Sequence, residues 1–135
     1  YKGKTPNTES EVWKLINGWR PTATVKVHGA IEWISPAMFG VAKSSMSKLY
    51  GSYMALRLAL TAACIPFVEV QPKAWQKALG VIPRKKGEST RDWKKRLAGK
   101  AAQYYPNEVI TLDVSDALLI ATWLVMFTPR ATPES

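Results

Sequence analysis

The sequence predicts an α/β fold, in which helices pack against a small sheet, and three observations lead to this class. Two short apolar runs, residues 25–32 and 66–72, are rich in Val and Ile and are closed by nearby prolines, as strands are. Longer segments around them repeat apolar residues at helical spacing. The 135 residues are 47% hydrophobic, which suffices for one domain with its own core. Since two strands make a poor sheet, we expect part of the sheet to be missing.

The first half of the chain predicts a helix, a strand, a loop and a second helix. Thr8-Glu-Ser-Glu11 forms a capping box before an apolar helical run. Residues 25–32 alternate at first and then turn apolar, which gives a strand with Glu32 at its end. Residues 35–47 hold Pro, Gly and four Ser, and we expect a loop there. Residues 49–64 have the spacing of a long helix.

The second half predicts another strand and three more helices. Residues 66–72 form a short strand, and residues 73–79 form a short helix that Gly80 ends. Residues 81–89 have the composition of a mobile basic loop. The next helix covers residues 90–105, and an apolar run after residue 112 provides the last one.

The balance of charge indicates an anionic partner. Nineteen Lys and Arg residues stand against ten Asp and Glu, which gives a net charge of +9 and a pI near 9.8. This balance favours nucleic acid or an anionic surface over an acidic substrate. The cations that we expect to contact phosphates lie in the basic loop and the following helix: Arg84, Lys85, Lys86, Arg91 and Lys95.

The single cysteine and the length of the apolar runs bear on location. Cys64 has no second cysteine with which to form an intrachain disulfide, and its apolar helical context predicts a buried free thiol in a reducing compartment. The longest apolar run, residues 117–127, is too short to span a bilayer. We therefore expect a soluble, intracellular protein, in bacterial or phage-infected cytoplasm rather than in an organelle.

Two carboxylates, Asp113 and Asp116, lead directly into the last apolar run. If both belong to the helix, they project from one face of its first turn. Paired hard oxygen ligands beside a basic chain suit Mg²⁺ chemistry on DNA. Helix capping explains the same pair, because Asp is a good N-cap and a helix N-terminus favours negative charge. The motif by itself favours capping.

Several ordered features together resemble one known family. They are the strand end Ile31-Glu32, Val70-Gln-Pro-Lys-Ala-Trp75, Trp93-Lys94 in a helix that ends at Tyr104-Tyr-Pro106, and Asp113-x-x-Asp116-Ala-Leu-Leu-Ile-Ala. Over about residues 1–127 this order resembles RuvC-type Holliday junction resolvases, particularly the small phage-type and chloroplast members. The resemblance implies a ribonuclease H-like mixed sheet flanked by helices, with residues 1–135 forming a single nuclease domain that lacks its first strands.

The resemblance also implies a site. Glu32, Asp113 and Asp116 would hold two Mg²⁺ (or Mn²⁺) ions per active site, and Lys94 would face the acids and counter charge on the scissile phosphate. The first-strand Asp of the family has no counterpart in this chain. Glu32 taken alone reads as a solvent-facing carboxylate, and Lys94 fits a phosphate-contacting face equally well.

The predicted loop at residues 35–47 corresponds to the family segment near the junction crossover. There Phe39 or Met38 would wedge against bases, unless they pack in the core, and contacts to phosphates would come from Lys43, Ser44 and Ser45. We expect a Mg²⁺-dependent, structure-specific endodeoxyribonuclease that nicks four-way or branched DNA symmetrically as a homodimer. The missing acid makes activity of residues 1–135 alone doubtful. The alternative is a non-catalytic ribonuclease H-like DNA-binding module without a complete metal site.

Overall fold

The computed structural model describes residue 6 and residues 8–35 and 43–127. They form two compact units, one ending at Gln71 and the other starting at Pro72. The first unit contains α1 (Glu9–Asn17), β1 (Gly29–Glu32), α2 (Lys43–Ala62) and β2 (Phe67–Val70). The second contains α3 (Pro72–Ala78), α4 (Thr90–Tyr104) and α5 (Ser115–Phe127). The predicted α/β class is confirmed.

α1 begins at the predicted capping box. The Thr8 side chain accepts from the backbone N–H of Glu11, and the Glu11 carboxylate accepts from the backbone N–H of Thr8. Two orphan donors of the first turn are thereby satisfied. Val12 and Ile16, one helical turn apart, are buried against α2. Local sequence chemistry and packing agree in this element.

β1 and β2 form a parallel pair in which Gly29 is opposite Phe67 and Glu32 is opposite Val70. β1 has only four residues, so the prediction of a strand from residue 25 is wrong. The reason is a turn at residues 22–25, where Thr22 N–H donates to the Val25 carbonyl and Val25 N–H donates to the Thr22 hydroxyl. The strand does end at Glu32, as expected.

α2 starts six residues before the predicted helix, at Lys43, so the end of the predicted loop is helical. No Pro lies between residues 43 and 62, and the Ser47 hydroxyl donates to the Lys43 carbonyl at 3.1 Å inside the first turn. Lys43, Ser44 and Ser45 therefore lie on a helix, where all three are exposed. Phe39 and Met38 lie outside the described residues.

α2 ends in a Schellman motif around Cys64. Ile65 N–H donates to the Leu60 carbonyl, Cys64 N–H donates to the Thr61 carbonyl, and Cys64 has a φ of 57°. Ile65 and Leu60 pack together in the core of this unit. The motif turns the Cys64 side chain outward, so the prediction of a buried thiol is wrong.

The second unit is built on α4 and α5. Leu97 and Ala101 of α4 and Leu119 of α5 are buried in its core, together with Trp75 of α3. The hydroxyls of Tyr105 and Thr122 lie 2.8 Å apart and join the end of α4 to α5. α3 is followed by Gly80 at a φ of 68°, which confirms the predicted helix end.

The connection between α3 and α4 differs from the mobile loop that the sequence predicts. Glu88 lies close to Arg96 of α4, with Oε1 at 2.7 Å from Nε, and Arg96 also donates to the carbonyls of Ile82 and Pro83. A guanidinium with several fixed donors ties separate points of a loop to one helix.

Among the described residues, no helix has the length and apolar character needed to cross a membrane.

Candidate functional site

An ion pair joins α4 to the start of α5. The ammonium nitrogen of Lys94 lies 2.5 Å from Oδ2 of Asp116, and the two side chains are 30% and 34% exposed, respectively. Asp116 lies in the first turn of α5, where the positive end of the helix dipole also favours a carboxylate. A partly exposed cation and anion held this close form a polar site that is open to solvent. The structure thus brings together two of the candidate residues.

Asp113 precedes this helix. α5 begins at Ser115, and Val114 occupies the N-cap position, with its carbonyl accepting from Leu118 N–H. Only Asp116 lies within the first turn, so the condition for both acids to share one face of that turn is not met, and the interpretation of Asp113 as the N-cap is wrong. The Ser115 hydroxyl donates to the Leu112 carbonyl at 3.1 Å and fixes the turn that carries Asp113. Asp113 is exposed.

Glu32 is the last residue of β1 and is half-buried. The next residue, Trp33, donates its backbone N–H to the Val70 carbonyl at 2.8 Å, which holds the end of the strand against β2. In parallel sheets, ligands bind beyond the carboxyl ends of the strands, and Glu32 lies at such an end. Glu32 belongs to the first compact unit, and its approach to Asp116 stays a prediction.

Two carboxylates, Asp113 and Asp116, lie at or just before the start of α5 and belong to the class of ligand that Mg²⁺ prefers. Mg²⁺ keeps several waters and is usually bound by one or two carboxylates together with substrate phosphates, and Asp113 and Asp116 fit that chemistry. Within the described part of the chain, however, no three His, Cys, Asp or Glu side chains form a group that could hold a metal ion. Asp113 and Asp116 by themselves are too few to hold a pair of ions, so a two-ion site needs a further acid.

The predicted phosphate-contacting cations are exposed, but they are not equivalent. Arg84 donates to the Glu88 carbonyl at 3.0 Å and to the Thr90 hydroxyl at 3.1 Å, so its guanidinium stabilises the connection between α3 and α4. Lys85 and Lys86 lie on the same connection, while Arg91 and Lys95 project from α4. The members of this set are Arg84, Lys85, Lys86, Arg91 and Lys95. They give the second unit a basic, exposed surface.

Sequence reasoning missed the pairing between Glu88 and Arg96. The side chains are eight residues apart and lie on a loop and a helix, so no helical spacing connects them. Hydrogen bonds from Arg96 and from the Lys85 N–H lower the pKa of Glu88 to about 2.

In the first unit, burial raises the pKa of Tyr53 to about 12, and the neighbouring Glu69 carboxylate adds to the rise.

Comparison with known proteins supports the fold assignment. No family model matches the chain, and no curated protein matches it either. The chain is similar to the solved RuvC structure from Thermus thermophilus, with 17% sequence identity and a TM-score of 0.52. The match covers 87% of this chain and 66% of that chain, so the chain spans just under two thirds of its neighbour's length. The similarity shows that the chain has a RuvC-like α/β fold, which is consistent with the ribonuclease H-like fold that the resemblance implies.

Proposed function

We propose that this protein is a metal-dependent endonuclease that cleaves Holliday junctions or other branched DNA by symmetric phosphodiester hydrolysis. The observation that carries the proposal is the contact between Lys94 and Asp116 in a chain with a RuvC-like fold. A carboxylate at a helix N-terminus and an adjacent ammonium are suited to a reacting phosphate, since one can hold a cation and the other can counter negative charge.

Each candidate residue has a role in this proposal. Asp116 and Asp113 present oxygen ligands from the start of α5, and Glu32 presents one from the end of β1. These three acids would hold Mg²⁺ or Mn²⁺, with two ions per active site, and the chemistry supplied by bound metal is activation of water and stabilisation of a leaving oxygen. Lys94 would turn its ammonium from Asp116 toward the scissile phosphate as charge develops there. Asp113 lies outside the helix and also fits an outer position, where it would orient a water.

The DNA partner is proposed from charge and from the predicted crossover segment. The net charge of +9 favours a polyanion, and the exposed cations of the second unit would track its phosphates. Lys43, Ser44 and Ser45, exposed at the start of α2, would add contacts from the first unit. Phe39 remains the candidate wedge between bases. A homodimer would present two active sites for paired nicks.

A second candidate function is a DNA-binding module without catalysis. It is favoured by the finding that the described residues form no three-ligand metal group. In such a module the contact between Lys94 and Asp116 would serve only to join α4 to α5. The basic surface would then account for the whole activity of the protein.

Cleavage and binding measurements separate the two functions. The protein is incubated with a labelled four-way junction in Mg²⁺ or Mn²⁺, beside Glu32→Gln and Asp116→Asn variants. We expect cleavage by the wild type alone, with junction binding by both variants unchanged or tighter, because removing carboxylate charge lets a phosphate approach. Cleavage by either variant at the wild-type rate would overturn the assignment. Tight binding without cleavage by any form would support the module.

A further inference from the structure

Residues Lys85 to Glu88 form a closed turn in the connection between α3 and α4; we call it the basic turn. Glu88 N–H donates to the Lys85 carbonyl at 3.1 Å, and Gly87 has a φ of 81°, as the third residue of a type II turn requires. Lys85 N–H donates in return to Oε2 of Glu88 at 3.2 Å. The Glu88 side chain thus closes the same turn that its backbone closes.

Arg96 fixes the basic turn to α4. Its guanidinium holds the Glu88 carboxylate in a bidentate arrangement, with Nε at 2.7 Å from Oε1 and Nη2 at 2.9 Å from Oε2. The same group donates to the carbonyls of Ile82 and Pro83 and lies 4.8 Å from the centroid of the Trp93 ring. The side chains of Glu88 and Arg96 are 11% and 31% exposed, so it is mainly the carboxylate of this pair that is shielded from water.

The cations of this region therefore divide into two groups. Arg96 and Arg84 donate to acceptors of the connection and of the first turn of α4, so both maintain its shape. Lys85 and Lys86 occupy the first two positions of the basic turn and are exposed. A rigid backbone that carries two adjacent exposed ammonium groups loses little conformational entropy when it binds phosphates.

We propose that Glu88 and Arg96 are positioning residues, which hold Lys85 and Lys86 as a preformed clamp for the phosphate backbone of nucleic acid. The inference rests on the proposed function insofar as DNA is the ligand. Glu88 is an anion beside the two lysines, and its charge alone opposes phosphate binding. Removing the Glu88 charge alone should therefore strengthen binding to nucleic acid, whereas removing its positioning role should weaken that binding.

The test is DNA binding by the whole chain carrying Glu88→Gln, measured by fluorescence anisotropy with a labelled duplex. Loss of the bidentate contact should weaken binding by about tenfold, because the backbone of the released basic turn must then be ordered when it binds phosphates. Asp92→Asn is the matched control, because it removes the same charge from an exposed residue of the first turn of α4. That variant should bind as tightly as the wild type or more tightly.

Two further variants complete the test. Arg96→Lys keeps the net charge but removes the fork, and should also weaken binding; it replaces Glu88→Gln if that variant does not fold. If a Lys85→Gln and Lys86→Gln double variant binds like the wild type, phosphate contact by this region fails, and with it that part of the proposed function. If the double variant binds weakly while Glu88→Gln and Arg96→Lys bind like the wild type, only the positioning inference fails. Adding Glu88→Gln to the double variant should cause no further loss.

Discussion

Replacing Lys94 with Met removes the ammonium that contacts Asp116 and leaves a side chain of similar length. Two unit charges about 4 Å apart near a protein surface attract by about 4 kcal/mol, but desolvation and side-chain ordering offset most of this. Because about a third of each side chain is exposed, we expect the free energy of unfolding to fall by about 1 kcal/mol or less. If Lys94 counters charge at the phosphate, the rate of cleavage should fall by about 10²- to 10³-fold.

The assay combines urea unfolding with single-turnover cleavage of a labelled four-way junction. Lys77→Met is the control, since Lys77 is an exposed lysine in the last turn of α3 and should tolerate the change in both assays. A double-mutant cycle with Asp116→Asn gives the stability coupling of the pair. Cleavage by Lys94→Met at the wild-type rate would refute the catalytic role. A loss of several kcal/mol in stability would mean that the pair is structural.

Cys64, Glu88 and Phe39 each offer a further change with a measurable outcome. Cys64→Gly should raise the free energy of unfolding, measured in urea, by about 0.5–1 kcal/mol. A φ of 57° costs a non-glycine residue about 1–2 kcal/mol, and the greater flexibility of glycine in the unfolded chain offsets about half of that gain. The control, Cys64→Ala, should give no such gain. Because the pKa of Glu88 is lowered from 4.5 to about 2, its stabilising contribution should be complete above about pH 4.5 and lost as the pH falls toward 2. The difference in unfolding free energy between wild type and Glu88→Gln should therefore shrink over that window and be constant from about pH 5 to 8. Phe39→Ala should weaken junction binding more than duplex binding at one salt concentration, because only an open crossover offers unstacked bases; equal losses would assign Phe39 to packing.

The features that the sequence predicts correctly are those set by neighbouring residues. The capping box at Thr8 and the helix end at Gly80 depend on residues within one turn, so both can be recognised from the local sequence. The end of β1 at Glu32 was also predicted. The predicted start of that strand at residue 25 is wrong. The sequence alternates there as a strand does, but a hydrogen bond from Val25 N–H to the Thr22 hydroxyl holds this segment in a turn.

The candidate site shows where sequence reasoning stops. Lys94 and Asp116 are 22 residues apart, and only the packing of α4 on α5 brings them into contact. The resemblance to a family selected both residues, whereas their charge and spacing alone favoured a solvated face and a cap. Glu88 and Arg96 were overlooked because a loop residue and a helix residue meet through tertiary structure, for which periodicity offers no signal.

The central claim is that the acids at the start of α5 belong to a metal-dependent site for branched DNA. Its most direct test is to label each strand of a four-way junction in turn and map the cuts made by the protein in Mg²⁺. We expect nicks at matching positions in two opposing strands, none on a linear duplex, and none with Asp116→Asn or after chelation of the metal. Cuts that persist in Asp116→Asn, or that occur equally on linear duplex, would contradict the account.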